Sequence, residues 1–262
     1  MIDRHFEDVV ASTPAMLGIH DLDKLHAQSS PGMSRPHLHP SQLDNVLLDA
    51  LLVRWRRRYS ADVPAWSDIA LFRSLNMAYQ ASLMPAGADV TFYDVGRLIA
   101  LWVSALEILI HPGGNGKADR EKVLGLIEKT AWERPGSAAV THSTGNPTKP
   151  VQRTLASWLC ARLYECRNDF LHGNPVGRDQ LLIPGSERRI FDYAAPLYRI
   201  ALTSFLPLRL DQPAPPLSEA RAFGAHIAAN MSYSDPQRTI EDALLTAVVP
   251  PPDPTPARRG ET

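Results

Sequence analysis

The stretch ARLYECRNDFLHGNPVG, residues 161–177, reads as the closing turns of an amphipathic helix and its stop. Extended upstream to about residue 150, it carries an apolar stripe of Val151, Leu155, Trp158, Leu159, Leu163, Cys166 and Phe170, so one face of a helix over 150–172 is buried. Gly173 supplies the residue at which a helix leaves through the left-handed region. The polar content of the last turns is unusual. Tyr164, Asn168 and His172 stand four residues apart and so share one side of the helix, with Arg167 beside that line.

The rest of the chain fits helices around this one. After a Pro/Ser/His loop within residues 1–40, Ser41 reads as an N-cap for a helix whose inner face is Leu43, Val46, Leu47, Ala50, Leu51 and Trp55, closing on Arg54 to Arg58. Further helices are predicted over 65–83, 93–111, 118–132, 186–205, 217–229 and 236–248. In the 93–111 helix Val95, Leu98, Ile99, Trp102, Ala105, Leu106, Leu109 and Ile110 cover more than one face, which puts it at the centre of a bundle. The helix over 186–205 turns Ile190, Phe191, Ala194, Leu197, Tyr198 and Ala201 inward. Residues 133–150 read as a long loop, and alternating strand patterns are not evident anywhere. The expected class is all-α, divided into a helical N-terminal extension with its loop (1–60), a central bundle (61–206), C-terminal helices (207–249) and a disordered Pro-rich tail (250–262).

Composition narrows the function classes. The chain has 262 residues, 44% hydrophobic and 21% charged, enough for a substantial core. A formal net charge of -1 gives no global field for nucleic acid or membrane, so any such contact must be local. The N-terminus lacks the apolar stretch of a secretory signal, and the longest apolar run, LIALWVSALEILI, is too short to span a bilayer and contains Glu107. Cys160 and Cys166 make no CxxC pair and read as free thiols of a cytoplasmic protein. His37 and His39 have no cysteine or carboxylate neighbours to complete a metal site and read as loop residues.

The helix end has the parts for cutting RNA without a metal. Histidine can take and give a proton near neutral pH. Arginine offers a charged planar fork matched to phosphate oxygens, and Asn168 can orient either one. The segment Arg167-Asn168-Asp169-Phe170-Leu171-His172 resembles the R-N-x-x-x-H form of the motif of HEPN domains, and Gly173 resembles the ending seen in the Apea-like HEPN group. LWVSALEILI is similar to the glutamate-bearing apolar helix that precedes the motif helix in that group. The resemblance covers residues 90 to 205 or so. It implies a HEPN-like helical bundle, here with additional N- and C-terminal helices, and a metal-independent endoribonuclease needing no cofactor. It also implies a homodimer with a composite cleft, acting in RNA processing, toxin-antitoxin systems or antiviral defence, with an antitoxin or other regulatory protein as a possible partner. In those terms Arg167 stabilises the phosphate, His172 is the acid and base, and Asn168 orients them, with Glu107 and Tyr164 in support.

Each assignment has a plainer counterpart. Arg221 and His226 reproduce the arginine-histidine spacing without the asparagine or the glycine, so spacing alone proves little. His172 can serve as a helix C-cap. Glu107 inside an apolar helix needs a partner, for which Arg167 is one candidate, and the plainer reading is a solvated edge or a different partner. Arg54, Arg56, Arg57 and Arg58 form either an RNA track or a helix end that compensates the dipole. The alternative to the nuclease is a non-catalytic helical module that binds RNA, a nucleotide or a protein.

Overall fold

A computed structural model describes residues 44–84, 91–145, 148–208 and 216–248. Ser41, Leu43, His37, His39 and the tail 250–262 therefore lie outside the described residues. In chain order the helices are α1 (Asn45–Ser60), α2 (Trp66–Ser82), α3 (Phe92–Leu109), α4 (Arg120–Ile127) and the single turn α5 (Pro135–Ala138). After a hairpin of β1 (Val140–Thr144) and β2 (Val151–Thr154) come α6 (Leu155–His172), the single turn α7 (Arg178–Leu181), a 3-10 turn (Ile190–Tyr193), α8 (Ala194–Phe205) and α9 (Ala220–Leu245).

Helix α3 is the centre. Thr91 and Asp94 close a capping box at its start, each side chain bonded to the other residue's backbone N–H. Val95, Leu98, Ile99, Trp102, Ala105, Leu106 and Leu109 are all buried, as their all-round distribution predicts. Helices α2, α6 and α8 pack around it. A buried polar link ties three of them: the Ser74 hydroxyl donates to the Ala105 carbonyl (2.6 Å) and meets the Tyr198 hydroxyl (2.8 Å). The predicted inner face Ile190 to Ala201 is buried throughout.

The strands correct the sequence reading. Strands Val140–Thr144 and Val151–Thr154 form an antiparallel two-stranded sheet with a register irregularity between Val140 and His142, and helix α6 begins at Leu155 with Thr154 as its N-cap. Val151, read above as part of a buried helical stripe, is an exposed strand residue. No apolar alternation marks β2, because its buried residues are the cation Arg153 and the cap Thr154. Arg153 is buried by ion pairs to Glu121 of α4 and to its C-cap Glu128, the latter at 2.9 Å. His142 on β1 stacks on Trp158 of α6, with ring centroids 5.0 Å apart.

Other boundaries move for local reasons. Asp44 caps α1 by accepting from Leu47 N–H at 3.0 Å. After Ile127 the chain tightens into three-residue turns, so α4 is shorter than the predicted 118–132. The two predicted C-terminal helices are one continuous α9 with a 3-10 turn at Thr246–Val248, and Arg221 stands in its first turn. Its second half is fixed by Glu241, fully buried, which accepts from the backbone N–H groups of Glu133 (2.9 Å) and Arg134 (2.8 Å). Helix α1 differs most from its reading. None of its apolar residues is fully buried, Trp55 is exposed, and its one buried side chain is Arg58.

The end of α6 is positioned by a close approach. A Cβ at Gly96 of α3 would lie 2.8 Å from Cδ1 of Phe170, so the absence of a side chain lets the Phe170 ring seat against α3. Gly96→Val should lower stability by about 1–3 kcal/mol through overpacking, read as a lowered Tm. Combined with Phe170→Ala it should cost less than the two single losses added together. Additive losses would show that the contact does not seat the helix end.

Candidate functional site

Helix α6 ends in a Schellman motif. Gly173 adopts φ 69° and ψ 21°, Asn174 N–H donates to the Asp169 carbonyl at 2.9 Å, and Gly173 N–H donates to Phe170 at 3.4 Å. The Asn174 side-chain amide also donates to the Asp169 carboxylate (2.9 Å), clasping the turn. His172 is therefore the last helical residue, exposed, on a backbone held in one geometry. No hydrogen bond or ion pair joins it to Arg167 or Asn168 among the described residues.

Arg167 is organised by two neighbours. Its Nη1 donates to Asn168 Oδ1 at 3.0 Å, and its Nη2 lies 3.4 Å from Glu107 Oε2. The pairing of Glu107 with Arg167 considered from sequence is thus present. Both side chains are about a quarter exposed, at 25% and 26%, which places the pair at the edge of the core, in reach of solvent. Tyr164 departs from the expected surface line. It is buried, and its hydroxyl has no hydrogen-bond partner among the described residues. Burial above all, with the Glu107 carboxylate nearby, pushes its phenol above the ordinary tyrosine range despite the opposing Arg167. It stays a neutral wall beside the ion pair.

Glu107 also borders an open groove of about 470 Å³ that includes Met77, Ser104, His111 and Lys117, residues to which the sequence reading gave no role. His111 Nδ1 accepts from Gly113 N–H at 3.0 Å, so its neutral ring carries the proton on Nε2. Only the spacing of Ser104 and Glu107 on α3 and His111 just past its end, at three and four residues, points to this groove in the sequence.

Much of the basic run of α1 is engaged by the protein itself, although Arg57 stays half exposed. Arg54 and Arg57 both pair with Asp68, which is completely buried on α2. Arg58 is buried over the rings of Tyr59 and Phe72, while Arg56 is exposed. Three of the four cations proposed for an RNA track are thus held in the protein's own packing. Around the helix end the surface is apolar instead: Leu171 and Tyr93 are strongly exposed, and Phe92 packs on Phe170 with centroids 4.8 Å apart.

Among the described residues no three His, Cys, Asp or Glu side chains gather into a metal-sized cluster, and no helix is long and apolar enough to cross a membrane. Comparisons of the chain with protein-family models, with curated proteins and with solved structures return no match.

Two outcomes follow from these environments. Burial pushes the Cys160 thiol up to about 12 and the Cys166 thiol up to about 11, so at pH 8 neither is a usable nucleophile in the folded chain. A thiol reagent at that pH should label neither cysteine until denaturant is added, and rapid labelling of the native protein would show the packing around α6 to be looser than described. Glu107→Gln should change unfolding free energy by less than about 1 kcal/mol, since the pair is solvent-screened. A loss above about 2 kcal/mol would mean that Glu107 compensates a more deeply buried charge.

Proposed function

We propose that the end of α6 is the active site of a metal-independent endoribonuclease. The observation that carries the reading is the joint placement of an exposed imidazole on a rigid helix end and, within two turns, a guanidinium oriented by Asn168 and Glu107. In this reaction His172 takes the proton of a ribose 2′-hydroxyl, whose oxygen attacks the adjacent phosphorus. The 5′-oxygen leaves with a proton from a second acid, and Arg167 stabilises the charge that builds on the phosphoryl oxygens. The product carries a 2′,3′-cyclic phosphate.

Within one chain Arg167 leans toward Glu107 and does not meet His172. The reading therefore includes a second copy, which through a twofold axis supplies the second acid and the facing arginine. The exposed apolar residues Phe92, Tyr93 and Leu171 beside the helix end favour such a contact. The single 3.4 Å approach of Glu107 is a weak hold, one that a phosphate accepting two guanidinium bonds can displace. Roles in defence, toxin-antitoxin pairing or RNA processing, with a restraining partner protein, belong to the same proposal. So does placement in the cytoplasm.

One observation favours the alternative of a non-catalytic module that binds RNA, a nucleotide or a protein: Glu107 already neutralises the arginine on which the chemistry depends. The two separate in a single assay, incubation of labelled single-stranded RNA with the protein in excess EDTA, beside folded His172→Ala and Arg167→Ala variants. The nuclease reading expects cyclic phosphate ends from the wild type and a loss of at least about 100-fold in each variant. Intact RNA with wild type, or cleavage equal in all three proteins, would sink it.

A further inference from the structure

We propose that α1 is a pairing helix whose apolar edge docks antiparallel on α1 of a second copy of this chain. A surface helix ordinarily buries its apolar face and exposes its charges. Helix α1 does much of the reverse. Its attachment to the bundle leans on charges, Arg54 and Arg57 on buried Asp68, buried Arg58 over Phe72, Arg54 over the Phe205 ring, and the cap residue Asp44 on Arg199 of α8, with Leu51 against the core and the Trp55 ring edge-on to Phe72 as its apolar part. Toward solvent, besides Val53, it leaves a row of four partly exposed apolar residues, Leu48, Leu52, Trp55 and Tyr59, each 39–41% exposed.

These four residues are spaced four, three and four apart, which places them on one narrow edge of the helix and matches the seam of a two-helix coiled coil. Trp55 and Tyr59 are already in ring contact, with centroids 4.2 Å apart and planes tilted by 46°, so half of the seam is preorganised. On the outer flank of the seam stand Asp49 and Arg56, one heptad apart, both exposed and neither in an ion pair among the described residues. They identify the occupant. In an antiparallel register that sets Leu52 against Trp55 of the second copy and Leu48 against its Tyr59, Asp49 meets Arg56 of the second copy, and by symmetry the pair occurs twice. A parallel register would set them against the flank of Leu51 and Arg58, which already packs on the bundle. The surface is thus complementary to itself in one orientation.

The exposed part of the seam amounts to roughly 300 Å² per copy, well short of the 600 or so per partner at the low end of stable interfaces. The pairing is therefore weak and concentration-dependent. It is also separate from the contact considered for the α6 end. Helix α1 packs at Phe72, two residues from Ser74, whose hydroxyl reaches Ala105 in the last turns of α3, whereas Phe170 seats on Gly96 near the start of α3. The inference holds whether or not the nuclease reading does.

The test is sedimentation equilibrium of the full chain over a wide concentration range, with Asp49→Arg, Arg56→Asp and the double variant, each confirmed folded by its thermal melt. Wild type should associate reversibly. Each single reversal, which turns two attractive pairs into two repulsive ones, should weaken association about tenfold or more, and the double variant should regain most of it. A wild type that stays monomeric throughout would overturn the proposal and assign the seam to residues 1–43 or to another protein. Association unaffected by either single reversal would overturn it equally, and would place the contact on another face.

Discussion

Helix α3 must bury most of its circumference, and the rest of the molecule is arranged around that constraint. An apolar helix of 18 residues gains stability when neighbours cover its apolar faces. Helices α2, α6 and α8 do so, and the buried hydroxyls of Ser74 and Tyr198 join α2 to α8. Where that covering is closest, the approach distance is fixed by a single side chain. Gly96 is the clearest case: a larger residue there would push Phe170, and with it the end of α6, away from the bundle. The candidate site inherits its geometry from the packing of α3 two turns away.

Outside that core, charges do much of the joining. Asp68 holds α1 to α2, Glu241 holds α9 to the backbone before α5, and Arg153 holds the hairpin to α4. A buried ion pair contributes little net stability against an apolar replacement, but losing one partner is costly because the other stays desolvated. Such pairs therefore select one arrangement of the elements over others that bury similar area. They also explain how a chain with nearly balanced charge keeps few of its α1 arginines available to a ligand.

The helix end joins two kinds of environment. The Schellman turn presents His172 to solvent, while Arg167 lies back against Glu107 with Tyr164 behind it. One group is placed by backbone geometry and the other by a displaceable carboxylate. On the proposed reading, a phosphate exchanges partners with Arg167 without moving the backbone, so the chemistry needs no rearrangement of the fold.

Local signals were enough for much of this. Periodicity set the helical class and the central position of α3, and the glycine after His172 set the end of α6, because both depend on residues within a turn or two of one another. The approach of Glu107 to Arg167 was also legible, since an acid in an apolar helix must find a cation nearby. What the sequence could not determine involved partners distant along the chain. The hairpin escaped notice because its inward residue, Arg153, is buried by glutamates 25 and 32 positions away, so no apolar alternation marks it. The RRR of α1 reads as a solvent face until Asp68 is seen to be buried beneath it, and Tyr164 reads as a surface residue until α3 is placed against it. Tertiary structure decided these because burial of a polar group is set by the partner that satisfies it, and that partner can come from anywhere in the chain.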